Sequence, residues 1–428
     1  MFKAGFARVD VTPPLGTTIT GYFYPRISDG VLDPIYLNAI SVNDGDSTAL
    51  IITGDFMYIR EAFMTDCRKL IEKETGIPRD HILIQAIHQH TSTTPGDKDV
   101  VDHAYITTLY RKFRDVAVMA HEDMAESVVT YAEQETAEPV SFIRRFWMKD
   151  GSLKTNPMPM NPDIVGPCGE ADNMVRVVKF AREGKNDIAL VQIQTHPDVI
   201  GGNKYSADWP GFVRTYFETD LPGVSCLLLN GFQGDVNHYD VTKPRPANEE
   251  ERYAHSKWMG RVIADTAVAI WDKTTPVDTG KVAGTIETIY MPTNTSGIEN
   301  FNECLKIRKD YEAGIIGPKL TTPIVDAFRV TDMRTKTILQ TVPITVISFG
   351  QIAIVGFPGE PFIEYASDFR KAAPDKNLLF ACVANGDCGY FPSASAYTLG
   401  GYEVTTAVLP PEIAPALTET TLKILNEL

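Results

Sequence analysis

Two histidines close the segment "IQAIHQHTSTTP" at residues 84–95, where an apolar run gives way to His88 and His90. Residues two apart on a strand share a face, so both imidazoles are expected on one side of a strand's C-terminal end. Neutral imidazole is the commonest metal ligand among side chains. The pattern recurs. "IALVQIQTHP" ends in His196, "VSCLLLNGFQGDVN" in Asn230, Asp235 and Asn237, "IAIVGFPGEP" in Gly359 and Glu360, and "NLLFACVANGDCGY" in Tyr390. Singly, these residues also suit turns, a helix N-terminus or a satisfied core phenol. Together they make a nitrogen-and-oxygen donor set suited to zinc, with Glu360 supplying negative charge.

To bring such residues together, the chain must end several strands on one side of a layer. Short β-branched runs alternate with amphipathic stretches and predict strands at 49–59, 81–87, 174–180, 188–195, 224–230, 282–291, 341–349, 352–357 and 377–384. Helices are expected at 61–76, 105–135, 210–219, 248–273, 298–313, 361–373 and 410–427, the last with prolines at tolerated early positions. The fold class is α/β, or mixed α+β: mixed β-sheets packed against helices, with the active site at strand C-terminal ends. The stretches at 282–291 and 341–357 lack an evident helix between neighbours, which predicts a mixed rather than a purely parallel sheet. No repeat of short period, low-complexity segment or linker is visible, so residues 1–428 are read as a single catalytic domain. Loops 91–104 and 150–172 are expected to set the depth and polarity of the pocket.

Composition excludes several classes. The chain has 428 residues, a formal charge of −15 and no basic cluster, so nucleic acid is not an expected partner. No run is long and apolar enough for a membrane span, and the N-terminus has no signal-peptide pattern. The six cysteines are scattered without a Cys-x-x-Cys pair. Free thiols in a reducing cytoplasm are therefore expected. The sequence also lacks G-x-G-x-x-G after a strand, the P-loop, H-E-x-x-H and G-x-S-x-G.

In order along the chain, "GFARVDVTPP", "TGD", "IHQHTSTTP", "QTHPDV…YSADWPG", "NGFQGDVN", "GFPGEPF" and "GYFPSASAYTLGGYE" resemble the catalytic domain of the neutral/alkaline (non-lysosomal) ceramidases, zinc-dependent amidases. The resemblance implies zinc ligands at His88, His196, Glu360 and Tyr390. It further implies substrate-side roles for His90 and Tyr402, and for Arg144 in "FIRRF". There Ile143 replaces the family's Asn, and Arg145 is a rival.

The implied chemistry is hydrolysis of an amide (N-acyl) bond by water activated on zinc. Tyr390, Tyr402 and His90 are candidate donors to the developing oxyanion. His90 or Asp235 is expected to supply the proton to the leaving amine, and Asp235 could instead orient a ligating imidazole. Ser92-Thr93-Thr94 and Asn237 depart from the family pattern. The chain also ends soon after the tyrosine block, implying a short form without the family's C-terminal β-sandwich. These departures point from ceramide toward a smaller, more polar N-acyl substrate, lipid- or sugar-derived. Hydrolysis of an ester or sugar-derived substrate by the same metal, or a non-catalytic binder retaining the fold, are the alternatives.

Overall fold

The computed structural model describes residues 1–22, 24, 26–97, 102–317, 321–333 and 339–428. Three stretches of chain build the same unit: three strands, a helix, a fourth strand and a second helix. The first comprises β1 (Lys3–Asp10), β2 (Tyr36–Asn43), β3 (Thr48–Gly54), α1 (Glu61–Thr75), β4 (Ile82–Ala86) and α2 (His103–Glu122). The second comprises β5 (Ala125–Glu135), β6 (Met174–Arg182), β7 (Asp187–Ile193), α3 (Asp208–Asp220), β8 (Val224–Asn230) and α4 (Glu249–Trp271). The third opens with β9 (Val282–Pro292) and carries an inserted pair, α5 (Phe301–Glu312) and α6 (Thr322–Asp332). It continues through β10 (Leu339–Phe349), β11 (Ile352–Gly356), α7 (Ile363–Ala372), β12 (Asn377–Ala381) and α8 (Ile413–Glu427).

In every unit the first three strands pair antiparallel and the fourth lies parallel to the third. A parallel pairing needs a crossover, and the helix between the third and fourth strands supplies it. The first two units join through antiparallel β1 and β5, giving the order β8-β7-β6-β5-β1-β2-β3-β4. The third unit forms its own sheet, β9-β10-β11-β12. Helices cover the outer faces, packing Phe63 and Phe113 on the first unit, Phe217 and Ile263 on the second, and Phe369 and Leu417 on the third. Between the sheets, one core draws Ile51 and Leu83, Leu190 and Leu227, and Ile354 and Leu379 from the three units. Strands buried on both faces read as continuous apolar runs, which is why the third and fourth strands were conspicuous in the sequence.

Several expectations change. The strand expected over 49–59 ends at Gly54, so Tyr58 lies beyond it. The helix expected over 105–135 ends at Glu122, and Ala125–Glu135 is a strand, with Val128, Val129, Thr130 and Tyr131 favouring a pleated surface. The strand expected over 81–87 ends at Ala86, so His88 lies beyond it. β1, β2 and α6 were not anticipated. The mixed sheets against helices are as expected.

Candidate metal centre

The fourth strands of the three units meet at a polar junction. Gln85 Nε2 donates to the carbonyls of Asn230 at 2.6 Å and Cys382 at 2.9 Å. Cys382 N donates to the same Asn230 carbonyl at 3.0 Å. Asn230 is thus structural, not a site residue. Above this junction the chain leaving each strand turns inward. His88 does so in a left-handed conformation, φ 75°, uncommon for a residue with a Cβ. That turn, rather than strand alternation, brings His88 beside His90, with ring centroids 5.1 Å apart.

His88 comes from the end of β4, His196 from beyond β7 and Glu360 from beyond β11. His88 Nε2 lies 3.2 Å from Glu360 Oε2, and His196 Nδ1 lies 4.0 Å from the same oxygen. Tetrahedral zinc with bonds near 2.0–2.1 Å sets its ligand atoms roughly 3.3 Å apart. Protons can be assigned from the partners. His88 Nδ1 faces the Met57 carbonyl at 3.0 Å and donates to it, leaving Nε2 toward the carboxylate. His90 Nδ1 faces the Gly21 carbonyl at 3.1 Å, and His90 Nε2 meets His196 Nε2 at 3.2 Å. If His90 donates to Gly21, the hydrogen between the two rings belongs to His196, and His196 Nδ1 is a bare lone pair. That nitrogen and Glu360 Oε2 are buried without a hydrogen-bond partner among the described residues. Orphaned acceptors aimed at one point fit a cation.

The three imidazoles also offer nitrogens within 4.8 Å of one another, which makes His90 a rival to Glu360 as a ligand. The proton assignment favours Glu360, because it occupies His90 with holding the tautomer of His196. Burial, reinforced by His88, keeps His90 well below the usual imidazole range. Burial followed by Arg144 does the same for His196. Neutral rings are what a metal requires. Burial pushes Glu360 up, but His88, Arg144 and the Tyr58 hydroxyl outweigh it and hold the carboxyl down to about 2.

Tyr390 stands opposite Glu360 in a short parallel ladder, Glu360 N donating to Gly389 O at 2.8 Å. Its ring lies 5.2 Å from the Arg144 guanidinium carbon and 5.8 Å from the Tyr402 ring. Burial and then Glu360 raise its phenol well above the usual value, while the charge of Arg144 opposes them. Arg144 is itself fixed by Glu403 Oε1 at 2.8 Å and the Gly234 carbonyl at 2.6 Å. Arg145 instead bonds the Gly400 carbonyl and stacks on Phe362, so Arg144 is the arginine beside the site. Asp235 does not orient an imidazole. Its carboxylate accepts from Ile363 N at 2.8 Å, at the start of α7, and burial pushes it up to about 6.

A cavity of about 710 Å³ opens over His88, His90, Glu360, Tyr390 and Tyr402. Its walls differ from expectation. Of the 84–95 stretch only His88, His90 and Thr94 line it, while Thr91, Ser92 and Thr93 are buried. Residues 98–101 of the 91–104 loop lie outside the described residues, and no residue of 150–172 lines the cavity. Described residues between 18 and 27, and α6, line it instead, through Tyr22, Ile27, Phe328 and Arg329 among others. Sequence reasoning also missed Tyr58, whose hydroxyl donates to Glu360 Oε1 at 2.7 Å, and Glu403 beneath Arg144. Tyr58 could have been found by extending the strand-end search to "TGDFMYI".

No model of a known protein family matches the sequence, and no curated protein matches it. Solved structures do. A neutral ceramidase from Pseudomonas aeruginosa matches with a TM-score of 0.73 at 14% identity, over 99% of this chain and 74% of that one. A ceramidase complexed with C2 matches with a TM-score of 0.76 at 13% identity, over the same 99% and 74%. The chain therefore has the neutral ceramidase fold, as the ordered motifs implied.

Proposed function

We propose that this chain is a zinc-dependent hydrolase cleaving the amide (N-acyl) bond of a small-molecule substrate, with the metal held by His88, His196, Glu360 and Tyr390. The observation that carries the reading is the pair of orphaned buried acceptors, His196 Nδ1 and Glu360 Oε2, beside His88 Nε2 under an open cavity. The ceramidase fold supports an amide as the target bond. When bound, zinc supplies Lewis acidity and lowers the pKa of water to roughly 7. The chain's own residues do the rest. Tyr390 and Tyr402 line the cavity, with Arg144 beside the Tyr390 ring, and the two phenols are the donors for the oxygen on which negative charge develops. Of the two candidates for passing a proton to the leaving amine, His90 lines the cavity and Asp235 does not, so His90 is the one placed to relay it once substrate displaces its bond to His196.

The cavity rim carries Arg60, Asp97, Arg329 and Asp332 beside Tyr22 and Phe328. That mixture favours a short N-acyl compound with a polar head over long-chain ceramide. Six free cysteines support a reducing, cytoplasmic setting, and no helix among the described residues is long and apolar enough to cross a membrane. The test is zinc content of the wild type and of His88→Ala and Glu360→Gln, with a panel of N-acyl amides, esters, glycosides and detergent-solubilised ceramide. One zinc per chain, lost in both variants, and turnover of short polar amides are expected. Folded wild-type protein that takes up no zinc, or that cleaves only esters, overturns the proposal, and efficient ceramide turnover overturns its substrate part.

A further inference from the structure

Beside the metal cavity, and separated from it by Tyr22, lies a second chamber of about 240 Å³ whose walls are mostly polar. Tyr22 lines both spaces, and its hydroxyl donates to Asp198 Oδ1 at 2.6 Å. Asp198 in turn lies 3.6 Å from His90 Nδ1. Two guanidiniums, Arg245 and Arg252, line this chamber. Neither has a carboxylate within ion-pair distance among the described residues, although the chain carries a formal charge of −15. Arg245 sits over Tyr239, its guanidinium carbon 3.9 Å from the ring centroid. The acids of the adjoining first turn of α4 do not neutralise them: Glu251 accepts from Ala247 N and Asn248 Nδ2, and Glu249 packs toward Gly202.

The remaining walls are polar. Asn237 Nδ2 and the Tyr239 hydroxyl both donate to Asn156 Oδ1, at 2.8 and 3.1 Å. His238 and His255 also line the chamber, and His238 Nδ1 is buried without a partner among the described residues. Burial, followed by the charge of Arg252, opposes the positive charge on Arg245, and Asp198 on the same wall partly offsets them. Both guanidiniums reach solvent, and a small anion between them would relieve the repulsion that Asp198 leaves unbalanced.

We propose that this chamber is a binding site for a small oxyanion, a phosphate or a carboxylate, held between Arg245 and Arg252. Guanidinium forks match the geometry of both oxyanions, and the volume admits either alone or as the end group of a larger ligand. The site is distinct from the metal centre and does not depend on the hydrolytic reading. Its occupant would abut Tyr22 and Asp198, the wall behind His90.

The test is calorimetric titration of the intact protein with inorganic phosphate and separately with acetate, ionic strength being balanced with chloride. Saturable binding of at least one anion at one site per chain is expected, with a rise in Tm. Arg245→Gln and Arg252→Gln should each weaken it by about tenfold or more, the loss of a charge-assisted hydrogen bond. Both variants should match or exceed the wild-type Tm without anion, because a repelling charge has gone. Binding of phosphate but not acetate assigns a phosphate-bearing ligand, and the reverse a carboxylate. Failure of both anions to bind, or binding that survives both substitutions because it occurs at the metal, overturns the assignment.

Discussion

Replacing Tyr58 with Phe removes one oxygen and leaves the rest of the residue in place. That oxygen donates to Glu360 Oε1 at 2.7 Å, while the ring's edge contact with His88, centroids 4.8 Å apart, survives the change. A hydrogen bond to a charged group contributes about 1.5–3 kcal/mol. Glu360 is 1% exposed, so water does not readily replace the lost donor. Without the phenol the carboxylate is free to turn toward the positive charge of Arg144, and Oε2 is no longer held facing His88 and His196. Losing such an orienting partner typically lowers metal affinity by about 10–100-fold, the range those energies imply. Competition for zinc against a chromophoric chelator reads the affinity directly. The zinc-dependent rise in Tm reads it a second time, and neither measurement depends on turnover. A folded Tyr58→Phe protein that binds zinc as tightly as the wild type refutes the idea that Glu360 is a ligand oriented by this phenol.

The other expectations concern the site and its support. Tyr390→Phe should keep most of its zinc, since two imidazoles and a carboxylate suffice, but lose about 10²–10³ in kcat. Wild-type turnover would remove Tyr390 from the site. Tyr402→Phe should lose less, though it is an imperfect control because its ring packs against that of Tyr390, centroids 5.8 Å apart. Asp55→Ala should lower stability by about 3–5 kcal/mol in urea titration, because it strands Arg214, 3% exposed and bonded to both carboxylate oxygens at 2.9 and 2.6 Å. A cost within the usual surface range would show that water reaches the pair. Gly234→Ala should abolish stoichiometric zinc with little loss of helix by circular dichroism, because its Cβ would collide with the Glu360 carbonyl. Retained zinc would mean that this loop yields freely. Finally, the core shared by all three units predicts one unfolding transition, and limited proteolysis yielding independently stable pieces would contradict it.

What could be read from the sequence was whatever is buried on both faces. The third and fourth strands of each unit, such as "ALIITG" and "VSCLLLN", are continuous apolar runs, and the polar residues that follow stand out by contrast. β1 and β2 were missed because Arg8, Asn38 and Ser41 interrupt the pattern. Inside the fold Arg8 bonds Asn38 and Glu218, and the Ser41 hydroxyl faces Met124. The 125–135 strand was taken for helix because it follows α2 after only two residues. Of the site, the side chains that follow strands were legible and those that hold them were not. Met57 and Gly21 act through carbonyls, which carry no residue signature, and Glu403 reaches Arg144 across 259 residues of chain. The repeat itself was invisible because the segments inserted within its units differ in length: 10–36 in the first, 135–174 in the second and 292–339 in the third.

The threefold repetition explains why a site forms where it does. In each unit the third and fourth strands run parallel, so their C-terminal ends point the same way, and six such ends gather at one edge of the inter-sheet core. Each end delivers one polar side chain: Tyr58 and His88 from the first unit, His196 and Asp235 from the second, Glu360 and Tyr390 from the third. The three groups with the strongest claim on the metal therefore come one from each unit. A lone unit cannot offer more than a fragment of the site, and the unpaired acceptors His196 Nδ1 and Glu360 Oε2 belong to different sheets. A cation between them would bridge the two sheets directly above the Gln85–Asn230–Cys382 junction. Its binding energy would then act on the packing of the whole molecule, not on one loop.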